Sequence, residues 1–229
     1  MDLKKLDKRK HYYLTLDTET ANTLEEPLVY DIGGAIHDKQ CNIYHTFNYI
    51  IYDIYVGERE LMQTSYYAEK LPQYEKALKA NELKFKRFMT VYYYIHDLIK
   101  EYNIKAVIAH NMRFDRTALN NTLRHVTGGK KKWFFPYNTD LWCSLSMARQ
   151  TIGQQKSYQS WTKENPDRLT QYGQPRLTAE LLYQYISGDE NFIEDHTALS
   201  DVLIEIDITV QCIRQKKKMY RTYWKPQTA

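Results

Sequence analysis

Cysteine, glycine and long apolar runs are all scarce in this sequence of 229 residues. The three cysteines, Cys41, Cys143 and Cys212, are odd in number, widely spaced and form no Cys-x-x-Cys pair. That excludes a disulfide framework and a zinc ribbon, and leaves buried free thiols as the expectation. No apolar stretch approaches the ~20 residues that span a bilayer. The charged segment from Met1 to His11 also lacks the apolar core of a signal peptide. The expectation is a cytoplasmic protein without a membrane partner. No internal repeat is visible, and no linker divides the chain.

What is present is a hydrophobic content of 43%, enough for one large core. The formal net charge is only +4, but it is unevenly spread, with basic clusters at Lys4 to Lys10, Lys130 to Lys132 and Arg214 to Lys218. Such runs favour an acidic polymer as partner. Each cluster taken singly reads equally well as a solvated face. Twenty-one tyrosines stand against eight glycines. Aromatic faces stack on bases, although most of these rings should serve core packing.

Periodicity gives the order of elements. Tyr13 to Thr20 reads as a strand, Leu28 to His37 as a second and Cys41 to Ile51 as a third, a meander of three antiparallel strands. The pair Gly33-Gly34 inside the second predicts a bulge or a close backbone approach. Asp53 to Lys70 is weakly helical, with Pro72 as punctuation. A helix is predicted from about Asn81 to Tyr102, because Phe85, Phe88, Val91, Tyr92, Ile95, Leu98 and Ile99 recur at helical spacing. Ile104 to Asn111 has the nearly all-apolar character of a buried parallel strand. A helix from Met112 to about His125, ended by Gly128-Gly129, follows it. Tyr137 to Thr139 is expected as a fifth strand and Leu141 to Gln150 as a helix. Gly153 to Pro175 reads as a long ordered loop or small hairpin, Thr178 to Ile186 as a helix, and Thr197 to Gln215 as the last helix. This order makes an α/β fold around one mixed sheet.

The chemistry concentrates in four places. Asp17 and Glu19 sit two apart on the first strand, so their side chains share a face, with Thr18 on the other. Alone they read more readily as two solvated acids than as a cation site, although like charges this close need a counter-charge. Asp115 follows the apolar strand in His110-Asn111-Met112-Arg113-Phe114-Asp115, one turn into a helix. His196 and Asp201 flank the start of the last helix as His-x-x-x-x-Asp.

In this order these motifs resemble the DEDD superfamily of 3′→5′ exonucleases. They are Leu16-Asp17-Thr18-Glu19-Thr20, Ala109-His110-Asn111-x-x-Phe114-Asp115 and His196-Thr197-Ala198-Leu199-Ser200-Asp201. The resemblance runs from about His11 to Ile213. It is to the histidine subclass, since the tyrosine subclass would need Tyr where Thr197 stands. It implies a ribonuclease-H-like fold, a five-stranded mixed sheet with helices on both faces. Residues 11–213 would form one exonuclease domain with a polar insert at about 153–175, between basic tails at 1–10 and 214–229. It further implies two divalent cations, Mg²⁺ or Mn²⁺. Asp17 would bridge them, Glu19 and Asp201 would complete one site, and Asp115 would hold the second. His196 would be the general base, and Thr18, Thr20, Ala21 and Asn111 would lie against the substrate. His110 and Asn111 read as capping the strand-to-helix turn rather than as metal ligands, and Phe114 as core.

The activity implied is hydrolysis of phosphodiester bonds at the 3′ end of single-stranded nucleic acid, releasing nucleoside 5′-monophosphates. DNA is slightly favoured over RNA. Tyr66-Tyr67 and the insert are the candidates for that choice, because the motifs themselves face only the phosphate chemistry. The rival is a nucleic-acid-binding or adaptor subunit on the same fold with weak or lost hydrolysis. Oligomeric state stays open between monomer and homodimer. A polymerase or another nucleic-acid-processing protein is a compatible partner.

Overall fold

The strand that carries Asp17 and Glu19 is the centre of the sheet. In the computed structural model, which describes residues 7, 9–21, 23–63 and 68–224, Tyr12–Ala21 (β1) pairs antiparallel with Leu28–His37 (β2), and β2 with Ile43–Ile51 (β3). On its other side β1 pairs parallel with Ile104–Ala109 (β5), and β5 with Leu141–Cys143 (β6). Two short strands complete the edges: Phe85–Lys86 (β4) beside β3, and Thr222–Trp224 (β7) beside β6. The sheet is mixed, with order β4-β3-β2-β1-β5-β6-β7. Among the described residues it therefore has seven strands rather than the expected five.

Side chains of β1 alternate between two apolar layers. Tyr12, Leu14 and Leu16 join the cluster beneath the helices Phe88–Glu101 (α4) and Met112–Thr127 (α5). Tyr13 joins the opposite cluster, with Ser144–Gln150 (α6), Ala179–Ser187 (α8) and Ala198–Arg214 (α9). Helices thus cover both faces, and every residue of β2 is buried. Among the described residues no helix is long and apolar enough to cross a membrane. Cys143 and Cys212 are buried free thiols, and Cys41 is half-buried.

Several boundaries differ from expectation for local reasons. Asn81, in the left-handed region at φ 59, closes a helix Leu71–Lys79 (α3) that Pro72 had masked. Proline is tolerated there because the first turn has no partner for its missing N–H. The helix predicted from Asn81 therefore begins only at Phe88. Cys41, at φ 68, ends a turn, so β3 starts at Ile43. The weakly helical stretch after Ile51 breaks into Tyr52–Tyr55 (α1) and Arg59–Met62 (α2), followed by a short 3₁₀ turn at Ala68–Lys70. The strand expected at Tyr137 to Thr139 lies at β6 instead. Tyr137 is exposed, whereas Leu141, Trp142 and Cys143 are buried, and the helix after them starts at Ser144. Within the insert, Lys156–Lys163 is a helix (α7), and a single bridge joins Leu169 to Pro175. The Tyr66-Tyr67 pair lies outside the described residues.

The glycine pair marks two close approaches. A Cβ on Gly33 would stand 2.4 Å from the Ala198 carbonyl carbon and the Leu199 nitrogen, so the first turn of α9 rests directly on β2. One on Gly34 would enter the Phe47 ring. Backbone on backbone leaves nothing to rotate away. Gly33→Ala should therefore cost about 1–3 kcal/mol of stability by overpacking. It should also weaken divalent-cation binding, because the displaced turn carries Asp201. Urea unfolding together with a Mn²⁺ titration checks both.

Candidate active site

The carboxylates meet at the end of β1. Past Glu19 the β1–β2 register shifts, with Tyr30 of β2 as the extra residue between Asp31 and Val29, and the Val29 N–H donates to Thr122 Oγ1 of α5 at 2.9 Å. Asp17 and Glu19 point toward α9, and Asp201 lies in that helix's first turn. Ligand atoms of Asp17, Glu19 and Asp201 all lie within 4.8 Å of one another. Thr18, on the opposite face, donates its hydroxyl to Asp115 Oδ1 at 3.0 Å. Asp115 lies in the first turn of α5. Both helical acids thus sit where the helix dipole favours negative charge by ~0.3–1 kcal/mol.

A cleft of about 360 Å³ opens over this group, lined by Asp17, Glu19, Asp115, Asp201 and, at its rim, His196, Glu194 and Thr20. His196 has left-handed backbone at φ 51, and its Nδ1 is 3.9 Å from Glu194 Oε2. Of the residues expected against substrate, Thr18, Thr20 and Asn111 line the cleft. Ala21 is fully buried in the core. Phe114, expected in the core, is only half-buried and lines the cleft instead. Asn111, at φ 73, makes the corner between β5 and α5 without a side-chain cap bond.

Burial and crowding raise three of these acids. Burial, then the charges of Glu205, Asp115, Glu19 and Asp201, push the Asp17 carboxyl well above the usual carboxylate range. Burial, then Asp201 and Asp31, push Glu19 up to about 9. Burial raises Asp115 to about 7, against the lowering effect of the Thr18 hydrogen bond. An all-oxygen set of like charges is the donor set that hard divalent cations take. These residues fit such ions.

Three further acids were not singled out from the sequence. Asp31 stands opposite Glu19 in the β1–β2 register. Its Oδ2 accepts from Tyr74 Oη at 2.8 Å and from Ala198 N at 3.3 Å, so β2 caps the N-terminus of α9 from below. Glu194 lies two residues before His196. Its backbone N–H donates to Glu180 Oε2 at 2.9 Å, which ties this loop to α8. Glu205 is one helical turn past Asp201, and that spacing is the signal that could have found it. Its Oε2 accepts from the backbone N–H of His110 at 3.2 Å. His110 Nε2–H donates to the Leu177 carbonyl and Nδ1 meets Ser144 Oγ, both at 2.9 Å. Burial holds that imidazole neutral, lowered to about 4. The corner before Asp115 is therefore pinned to α9, to α6 and, at Leu177, to the segment that leads into α8.

Burial, then Asp115 and Asp201, hold the Glu205 carboxyl well above its usual range. A raised folded-state value stabilises the protein below the unfolded value of ~4.3 and loses that stability as pH rises. Glu205→Gln keeps the acceptor for His110 and removes the titration. In chelator the variant should match wild type near about pH 4 and unfold at higher urea in alkaline buffer. Urea midpoints across pH read this directly.

No family model matches this chain, and no curated protein matches it by sequence. Solved structures do match. With E. coli exonuclease I bound to a dA16 oligonucleotide the TM-score is 0.54 at 15% identity, covering 90% of this chain and 41% of that one. The complex of E. coli exonuclease I with a 5cy-dT13 oligonucleotide gives 0.54 at 13% identity, covering 90% and 41%. The ExoI/SSB-Ct complex gives 0.52 at 12%, covering 90% and 42%. At these identities the likeness is one of fold, and the chain spans about two fifths of the length of the exonuclease I chains, 41% in the first case. The architecture is the ribonuclease-H-like α/β fold, shared with exonuclease I.

Proposed function

We propose that this protein is a metal-dependent 3′→5′ exonuclease of the histidine subclass, which removes nucleoside 5′-monophosphates from single-stranded nucleic acid. The observation that carries the reading is the meeting of Asp17, Glu19 and Asp201 within 4.8 Å, with Asp115 and His196 on the same cleft. Asp17, Glu19 and Asp201 would hold one divalent cation, and Asp17 with Asp115 a second. When bound, two such ions relieve charge on the phosphoryl oxygens and lower the pKa of the attacking water.

The chain's own residues supply the rest. Thr18 fixes the Asp115 carboxylate by its hydroxyl. Asp31 and Gly33 seat the first turn of α9, and with it Asp201. His196, at the rim, accepts the proton of the attacking water at an imidazole nitrogen. Glu194 beside Nδ1 orients that ring. Thr20 and Asn111 face the terminal nucleotide. The oligonucleotide complexes of exonuclease I support a single strand as substrate. DNA is favoured over RNA on the same ground.

The test is a time course on 5′-labelled DNA and RNA strands in Mg²⁺ or Mn²⁺, against an Asp17→Asn control. A ladder shortening by single nucleotides, absent from the control, is expected, and the relative rates give the sugar preference. Binding of either strand without cleavage would overturn the reading in favour of a binding subunit.

A further inference from the structure

A second cavity, of about 470 Å³, is lined in part by α5, the helix that also carries Asp115. Tyr92 and His96 of α4, Arg116 of α5, and Trp133, Phe134 and Tyr137 of the following segment line it. No carboxylate lines it among the described residues, in contrast to the acidic cleft. Trp133 is 61% exposed and Tyr137 64%, whereas Phe134 is fully buried. Large exposed rings in a pocket are a feature that packing alone leaves unexplained.

The platform is rigid. The Phe134 N–H donates to Asn120 Oδ1 at 2.8 Å, and the Phe134 carbonyl accepts from His96 Nε2 at 2.7 Å. The Phe134 ring packs against Phe88 and Tyr92 as a floor. Both backbone groups of Phe134 are thereby held, and Trp133 is presented beside it from a fixed base. Cations border the rings. The Arg116 guanidinium lies 5.3 Å from the centre of the Trp133 ring, and Lys131 Nζ 5.2 Å from that of Tyr92. Lys131 is the middle of the basic run Lys130 to Lys132. Aromatic faces bordered by lysine and arginine are the chemistry that holds single-stranded nucleic acid, rings for bases and cations for phosphates.

Helix α5 joins this groove to the cleft. Phe114 and Asp115 line the cleft, while Arg116 and Asn120 line the groove. From Asp115 to Asn120 the helix rises about 7–8 Å. At about 3.4 Å per stacked nucleotide, that is a step of a few nucleotides. We infer that this groove is a stacking subsite for bases upstream of the reacting 3′ end, with Trp133 as its platform and Arg116 and Lys131 on the backbone. The inference rests on the substrate proposed above being a single strand, and it adds the surface that would hold such a strand. An apolar protein segment is the competing occupant, but it would make no use of the cationic border.

The experiment compares wild type, Trp133→Ala and Trp133→Phe. A fluorescent oligodeoxynucleotide is titrated in chelator, where hydrolysis is silent, and a second oligonucleotide carries 2-aminopurine a few nucleotides from its 3′ end. Trp133→Ala should bind the long strand about tenfold more weakly and lose the 2-aminopurine quenching. Trp133→Phe, which keeps a stacking face, should recover most of both. In metal, Trp133→Ala should raise KM on the long strand at constant kcat and leave a dinucleotide substrate unaffected. Equal affinity of wild type and Trp133→Ala for the long strand overturns the inference. Equal loss on dinucleotide and long strand overturns it too, since that reports a disturbed cleft. A binding difference with no hydrolysis by any form would keep the groove and remove the exonuclease reading; intact hydrolysis with equal binding would do the reverse.

Discussion

Asp17→Asn should lose turnover by ~10⁴-fold and yet make the metal-free protein melt later than wild type. The two effects have one cause. Asp17 is flanked by Glu205, Asp115, Glu19 and Asp201, each of which raises its carboxyl further above the range that burial has already set. Without a cation, ionising this group costs free energy. An amide of the same shape removes that cost and with it the ligand that both proposed cation sites share.

The pH dependence follows from the direction of the shifts. Asp17 is raised, Glu19 is raised to about 9 and Asp115 to about 7. Carboxyls whose folded values exceed the unfolded ones stabilise the fold fully below about pH 4, and that stabilisation is lost as pH rises through the folded values. Metal-free wild type should therefore lose stability progressively from acid to alkaline buffer, and Asp17→Asn should lose less. Adding Mg²⁺ should reverse the order, because a ligand that binds only the folded form stabilises in proportion to its affinity. Thermal melts in chelator and in Mg²⁺ across pH, beside the ladder assay, read all three effects. Equal destabilisation with and without metal would mean that Asp17 serves packing alone, and would sink the cation-site reading.

Asp17 and Glu19 could be read from the sequence because a strand alternates faces, which places i and i+2 together whatever the tertiary structure. Asp115 was legible because an all-apolar strand followed by a helical stripe defines a corner, and Asp201 because its helix carries a clear apolar stripe. What could not be read depends on contacts distant along the chain. Glu205 looks like one more polar position on a helix until His110, 95 residues earlier, is seen donating to it. Asp31 falls inside an apolar strand, and only the seating of α9 on Gly33 turns it into the cap of that helix. Strands β4 and β7, of two and three residues, are too short for any period to emerge, and they exist because β3 and β6 each offer an unpaired edge. The aromatic groove is a similar case. Its rings come from α4 and from Trp133 to Tyr137, and only the fold of Phe134 against both helices brings them together.

His196 carries the other large expected effect, and its backbone dictates which variant can show it. The residue sits in the left-handed region at φ 51, where alanine is strained by ~1–2 kcal/mol and asparagine is tolerated. His196→Asn therefore removes the imidazole while keeping the loop that leads from Glu194 into α9. Since His196 lies outside the carboxylate trio, this variant should bind Mn²⁺ as wild type does and melt within a few degrees of it. Turnover should fall by ~10²–10⁴-fold, the usual contribution of a positioned general base. Glu194→Gln, which leaves the ring in place but weakens its orientation, should fall between the two. His196→Ala would lose comparable turnover with an added loss of stability, which separates backbone strain from chemistry. Kinetics on the labelled strand, Mn²⁺ titration and melting of the three variants decide it. If His196→Asn loses cation binding in step with turnover, the histidine shapes the metal site and the proton must leave by another route.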